Sequence, residues 1–311
     1  MVDKNHQHFS IIIPAWNCAD QLERLLKQIN QQDYPKEYYD ILVVDDGSTD
    51  QTAERAKILG ARVVTNKQNL GRVLTREHGA KEAKYDTLVF IDARCNIENN
   101  LLTNANSLNY LPLMGVGLAD KTISIIDRVF YCIRKKVYRP YEPQTSYNDE
   151  LWLKPDEFDG RPKGTGLLII DRGMFLDCAL EEKSQDVNDD TKLLYNIVTN
   201  GKPILRHTKL PFFYEHRHNW PELLKHTFFR GPKFYDYYLT PKGPYALKYY
   251  SLLTVITLII VLTFLYPSLI FYICFAIVLL PTIVAIWMSE ELKDFFACLI
   301  FFPPVAGAFI S

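Results

Sequence analysis

The sequence has no C-x-x-C pair: its six cysteines, Cys18, Cys95, Cys132, Cys178, Cys274 and Cys298, are scattered along the chain. That scatter disfavours a structural zinc site and leaves free thiols in a reducing compartment as the expectation. The chain also lacks net charge, with a formal value of -1, which removes the electrostatic basis for broad nucleic-acid binding. No G-x-G-x-x-G follows an early apolar run, so a dinucleotide-dependent dehydrogenase is disfavoured. The first ten residues, MVDKNHQHFS, hold no apolar run, and no secretory signal is expected there. Finally, no charge occurs over the forty-one positions from Tyr249 to Ser289, an absence rare in water-soluble domains.

What is present begins with alternation. At 311 residues the chain has material for one large domain or two small ones. FSIIIP (Phe9–Pro14) reads as a strand, and Asp20 to about Gln31 as a helix with Leu22, Leu25, Leu26 and Ile29 on one face. DILVVDD is a second strand, and Ser48-Thr49-Asp50-Gln51 has capping-box spacing for a helix through about Leu59. ARVVT is a third strand, Leu70 to about Ala83 a helix, and Thr87–Ile91 an apolar fourth strand. Strands alternating with helices predict an α/β fold with right-handed connections and a mostly parallel sheet. Between Thr122 and Val137 the apolar residues follow a helical period with a basic tail. That helix is either an ordinary domain helix or a contact for anionic lipid heads. The glycine-rich stretch Asp156–Gly166 reads as a mobile loop, and LLII after it as a strand.

Beyond residue 210 the composition turns aromatic and basic, then apolar. The division expected is a catalytic domain over 1–210, an amphipathic juxtamembrane segment over 211–248 and an anchor of two to three helices over 249–311. Tyr249–Tyr266 and Leu269–Met288 are each long enough to cross a bilayer of about 30 Å, with a turn at Pro267-Ser268. A third apolar segment, broken by Pro303-Pro304, either spans or re-enters. Lys225, Arg230, Lys233, Lys242 and Lys248 precede the first span, which places the large domain in the cytoplasm as part of a multi-pass protein of the cell membrane.

Three places in the chain carry chemistry. Asp45 and Asp46 end the second strand, where carboxylates accept hydrogen bonds from a uracil N–H or ribose hydroxyls, or simply cap the next helix. Asp92 follows the fourth strand, where ligands gather in open α/β sheets, and Arg94 stands two residues on. Asp189 and Asp190 open a predicted helix, a position the helix dipole alone would favour.

FSIIIPAWNCADQLERLL, ILVVDDGSTDQT and NLGRVLTREHGAKEAKYDTLVFIDA together resemble the family-two glycosyltransferases of GT-A fold. The resemblance is strong over Phe9–Asp92 and traceable to about Lys233. It implies a Rossmann-like catalytic domain that binds a nucleotide-sugar. Pro14, Ala15 and Asp45 or Asp46 would line the base, and Asn69, Gly71 and Arg76 match the stretch under the nucleotide. Asp92 would be the first acid of the family's D-x-D motif, and Asp190 would match the base of its E-D motif, with Asp189 in place of the glutamate. The second acid of D-x-D, which in the family coordinates a divalent cation, is here Arg94. Either Asp92 holds Mg²⁺ or Mn²⁺ with water and other oxygens, or Arg94 takes over part of the charge neutralisation. Arg230 and Lys233 fall in a segment that partly matches the Q-x-x-R-W of processive synthases. They would hold donor phosphates or snorkel from an interfacial helix.

The expected activity is inverting transfer from a nucleotide-diphosphate donor, a UDP-sugar, to a lipid-linked or surface-glycan acceptor at the bilayer. Two alternatives stand beside it. One is a polyprenyl-phosphate sugar synthase, although CNIENNLL lacks the run that usually follows D-x-D in those proteins. The other is a non-catalytic nucleotide-sugar-binding partner of a synthase complex.

Overall fold

A computed structural model describes residues 6–118, 124–137, 149–181, 189–217 and 219–310. The chain divides into two compact units. The first holds the described residues of Met1–Leu118, Pro140–Gln185 and Asp189–Glu215, and the second holds those of Ala119–Arg139 and of His216–Ser311.

The first unit opens with β1 (Phe9–Ala15), α1 (Ala19–Asn30), β2 (Tyr39–Asp45), α2 (Thr52–Ile58), β3 (Arg62–Thr65), α3 (Arg72–Glu82) and β4 (Thr87–Ile91). After these come β5 (Cys95–Ile97), α4 (Leu101–Leu108) and β6 (Leu113–Leu118). The chain then passes through α5 (Ile125–Val137), which belongs to the second unit, and returns as β7 (Glu150–Leu153). β8 (Leu167–Asp171), α6 (Arg172–Asp177), α7 (Asp189–Thr199) and β9 (Ile204–Tyr214) complete the unit. Because β9 runs to Tyr214, the unit extends past the expected boundary at 210, and α5 lies outside it.

The strands form one sheet in the order β3-β2-β1-β4-β8-β6-β9-β5, with β7 also paired to β9. Its first four strands are parallel, as the alternation predicts. The mostly parallel pattern does not continue: β8 runs antiparallel to β4 and β6, and β5 and β7 run antiparallel to β9. β6 and β9 run parallel again, so the sheet is mixed.

Alternation along β1 sends side chains to two layers. Phe9, Ile11 and Ile13 join Leu22, Leu25, Leu26 and Ile29 of α1 in one apolar cluster, all essentially inaccessible. Burying each such side chain is worth roughly 1.5–3 kcal/mol. Ile12 faces the other way, against α3, where Gly79 allows close approach: a Cβ there would lie 2.5 Å from the Ile12 Cγ2. Phe90 packs against Phe175 of α6 with ring centroids 4.5 Å apart and the rings tilted by 37°.

α2 corrects one expectation. It starts at Thr52 without a side-chain cap, because the proposed capping residues are used elsewhere. Ser48 Oγ accepts from Asn17 N, and Asp50 accepts from Ala19 N and Thr52 N. These bonds tie the β1–α1 loop to the β2–α2 loop. The stretch 156–166 holds a short 3₁₀ turn at Phe158–Gly160, and Lys163 Nζ donates to the carbonyls of Phe158, Asp159 and Arg161. The five described cysteines are unpaired and buried.

The second unit adds to α5 the helices α8 (Trp220–Phe228), α9 (Arg230–Phe234), α10 (Ala246–Leu265), α11 (Leu269–Met288) and α12 (Leu292–Ile310), with a π-type turn at Tyr235–Leu239. Thr122 and Ile123 of the expected helix lie outside the described residues. Ile126, Val129 and Cys132 of α5 pack with Leu223 of α8 and with Ala297, Cys298 and Phe301 of α12. Arg128 pairs with the buried Asp294 at 2.7 Å, and Lys135 pairs with Glu290 at 2.5 Å. α10 and α11 are long and apolar enough to cross a membrane. α12 runs on through Pro303 and Pro304 rather than breaking there. Proline's fixed φ is compatible with a helix, but inside one each ring removes a donor and crowds the carbonyl four residues before it, which favours a kink over a break here.

Candidate active site

The site assembles where β1, β2 and β4 end. β1 delivers Pro14 and Ala15, and the Ala15 carbonyl accepts from Asp46 N at 2.8 Å. Trp16, the next residue, is 54% exposed, unusual for so large an apolar side chain. It is a candidate base-facing surface that the sequence reading passed over, although an aromatic directly after the first strand was a visible signal.

The two aspartates ending β2 separate in role. Asp46 accepts from Asn66 Nδ2 at 2.8 Å, Leu70 N at 2.9 Å and Gly71 N at 2.9 Å. Its carboxylate is thus committed to shaping the loop that leads into α3. Asn66 in turn meets His78 Nδ1 at 2.8 Å. Asp45 accepts from Ser48 N at 3.2 Å across the Gly47 turn. Gly47 has φ +73°, and a Cβ there would fall 2.8 Å from the Gln68 carbonyl carbon. Asn69 Oδ1 accepts from Gly71 N at 3.1 Å, so Asn69 and Gly71 also shape this loop.

Asp92 begins the turn after β4. Its N–H donates to the Gly166 carbonyl at 3.1 Å, and its own carbonyl accepts from Cys95 N at 2.9 Å. Arg94 sits in that turn, half-buried, and its carbonyl accepts from Glu215 N at 2.9 Å.

Arg76 draws the distant acids together. Its guanidinium, 3% exposed, places Nη2 3.2 Å from Asp92 Oδ1 and Nη1 2.9 Å from Asp190 Oδ1. Thr165 donates its hydroxyl to the same Asp190 oxygen, and Arg72 Nη1 lies 3.6 Å from Asp190 Oδ2. Burial pushes the Asp190 pKa up, but Arg72, Arg76 and Thr165 together outweigh it and hold the carboxyl well below the usual carboxylate range. Arg72 and Thr165 were missed from sequence. Arg72 stands one helical turn before Arg76 on α3, a spacing that puts both on one face; Thr165 gave no signal. The side chain of Asp189 lies outside the described residues, and Arg230 and Lys233 belong to α9 of the second unit.

Among the described residues no three His, Cys, Asp or Glu side chains converge on a common metal position. Asp92 is the one carboxylate at the D-x-D position. A cation there would take most of its coordination from donor oxygens and water, as Mg²⁺ commonly does.

Residues 10–104 match the family model described as Glycosyl transferase family 2. Over those residues the chain is similar to glycosyl transferase family 2. Among curated relatives, the glycosyltransferase AglE of Haloferax volcanii is 32% identical over 92 residues, 28% of this chain and 30% of that protein. The 4,4'-diaponeurosporenoate glycosyltransferase of Staphylococcus haemolyticus is 38% identical over 142 residues, 44% of this chain and 34% of its own. The match thus spans about a third of either relative's length. Among solved structures, S. aureus TarS 1-349 in complex with UDP superposes with a TM-score of 0.51 at 16% identity, over 74% of this chain and 66% of that one. The mannosyltransferase PcManGT from Pyrobaculum calidifontis, in complex with GDP-Man and Mn²⁺, gives 0.51 at 17% identity, over 74% and 62%. The chain therefore has the GT-A fold.

Proposed function

We propose that the protein is an inverting glycosyltransferase that moves a sugar from a nucleotide-diphosphate donor, a UDP-sugar, to a lipid-linked or surface-glycan acceptor at the membrane. The observation that carries this reading is the convergence of Asp92 and Asp190 on Arg76 at the exit of β4. In the reaction, Asp190 takes the proton of an acceptor hydroxyl as its oxygen bonds to the anomeric carbon. The bond from that carbon to the donor phosphate breaks, and the nucleoside diphosphate leaves with the electron pair. In this reading Arg76 and Arg94 offset the charge that develops there. A bound Mg²⁺ or Mn²⁺ would have Asp92 as its protein ligand and would share that task. Asp45, Pro14 and Ala15 line the base, and Asp46 with Asn69 and Gly71 supports them from behind.

The membrane setting is part of the proposal. α10 and α11 are read as a spanning hairpin, with Arg230 and Lys233 at the headgroup level beside the exposed Phe228 and Phe229. α5 is covalently inserted between two strands of the catalytic unit, so it stays on that unit's side of the bilayer, here the cytoplasm. It pairs with Glu290 and Asp294 through Lys135 and Arg128, which returns the chain to the same side after α11. A thermal-shift screen of the full chain against UDP- and GDP-sugars, with and without Mn²⁺, tests the donor reading. Stabilisation by a UDP-sugar is expected, and no response to any nucleotide-sugar would overturn it.

A further inference from the structure

The loop from Phe158 to Gly166 meets both acids of the site at its far end. Thr165, 1% exposed, donates its hydroxyl to Asp190 Oδ1, and the Gly166 carbonyl accepts from Asp92 N at 3.1 Å. At the near end Phe158, also 1% exposed, meets Tyr195 of α7 edge-on, with ring centroids 5.4 Å apart. Asp190 lies in the first turn of that same helix, so the loop bears on α7 at both ends. Between them stand Gly160 and Gly164. A Cβ at either would meet no atom within 4 Å, and neither has a left-handed φ, so both add only freedom that folding must remove. Lys163 closes the loop against that freedom. Its Nζ lies 2.7, 3.2 and 3.3 Å from the carbonyl oxygens of Phe158, Asp159 and Arg161, and 4.5 Å from the Phe158 ring centroid. An ammonium carries three N–H donors, and three carbonyls stand in reach of them. Burial pushes the Lys163 pKa down to about 8, against the pull of the Asp159 carboxylate, so the ammonium form predominates at pH 7.

We infer that Lys163 is a positioning residue for the general base: it fixes the shape of the Phe158–Gly166 loop, the loop sets Thr165, and Thr165 sets the orientation of Asp190. The inference rests on the reading of Asp190 as the base above. Arg76 and Thr165 approach the same Asp190 oxygen from separate elements, α3 and the loop. One partner restrains where a carboxylate sits, and a second restrains its rotation as well. Rotation matters because a misplacement of about 1 Å can cost about a hundredfold in rate. Arg76 remains when the clasp is lost, so the expected cost is smaller, about tenfold.

The test is a double-mutant cycle on the full chain at pH 7. Hydrolysis of UDP-glucose, UDP-galactose and UDP-N-acetylglucosamine is read as released UDP, and UDP affinity is read by calorimetry. Lys163→Met keeps the apolar stem and removes the donors. It should lower kcat about tenfold, while UDP affinity stays within about twofold. Lys163→Arg, which restores the charge and N–H donors, should recover part of the loss. Thr165→Val should lower kcat similarly, and adding Lys163→Met to it should cost less than about twofold more, because both changes break one path. Losses that multiply, a kcat unchanged in Lys163→Met, or a loss confined to UDP affinity would each overturn the inference and leave the donor reading intact. The same cycle in thermal unfolding needs no turnover: the two Tm losses should fall short of additive. Strict additivity would overturn the inference where wild type binds UDP but hydrolyses none of the three sugars. Wild type that binds no UDP would overturn the donor reading and the inference with it.

Discussion

Asp92 and Asp190 share one guanidinium: Arg76, sixteen residues from the first and 114 from the second, reaches both with different nitrogens. Two carboxylates with so little solvent would repel one another without that cation between them. Removing one partner from such a buried network typically costs about 3–5 kcal/mol. The bridge therefore serves the fold and the site together, and it makes Asp190 the first residue to test.

Asp190→Asn keeps the shape and the hydrogen bonds to Thr165 and Arg76 but cannot accept the acceptor's proton. Turnover should fall on the order of a hundredfold or more, the usual contribution of a general base. Loss of kcat with the donor still bound identifies a group that acts in the transition state. Near-normal turnover would remove Asp190 from the mechanism and turn attention to Asp189.

The same carboxyl should leave a mark on stability. Its folded pKa lies below the unfolded value of about 3.9. The ionised form thus contributes stability above that value, and the contribution is lost as pH falls through the folded pKa. The Tm difference between wild type and Asp190→Asn should be largest near neutrality and shrink below about pH 4. A difference independent of pH would show that the ion pairs contribute nothing net.

In the proposed mechanism Arg94 shares the charge neutralisation with a divalent cation, and its removal tests that share. Arg94→Ala should weaken donor binding and slow transfer, because a charge-assisted contact at the leaving group is lost. Arg94→Asp should make activity more dependent on added Mn²⁺. Chelator titration reads the outcome: partial metal dependence is expected in wild type. Complete loss in EDTA, with Arg94→Ala behaving as wild type, would make the arginine a bystander.

A reporter inserted within Ser289–Asp294 should label on the same side as the N-terminus if α10 and α11 form a hairpin. Labelling on opposite sides would leave a single span and would break the argument from the Arg128–Asp294 pair.

Much of the first hundred residues was legible in the sequence. β1 through β4 and α1 follow from β-branched runs and from the i, i+3, i+4, i+7 spacing of Leu22, Leu25, Leu26 and Ile29. The second half of the sheet was not, because antiparallel insertion of β8 beside β4 depends on partners more than seventy residues away that leave no local period. For the site, the family resemblance pointed to Asp92, Arg76 and Asp190, three side chains that lie together in the structure. It did not reveal that Asp46 serves the backbone of Leu70 and Gly71, or that Thr165 meets Asp190. Those contacts are set by tertiary register, to which spacing along one strand or helix is blind.

α5 is encoded between β6 and β7 but belongs with the C-terminal helices, so the two units are interleaved rather than consecutive. The chain cannot be cut once to yield a soluble enzyme. Ending it after Glu215 would remove α8 and α12 and leave Ile126, Val129 and Cys132 facing water, a sticky stripe in the middle of an otherwise complete catalytic segment. During synthesis the same arrangement leaves that stripe waiting, already outside the ribosome, until the last helix emerges to cover it. A water-soluble version would need polar replacements on α5 as well as a new C-terminus.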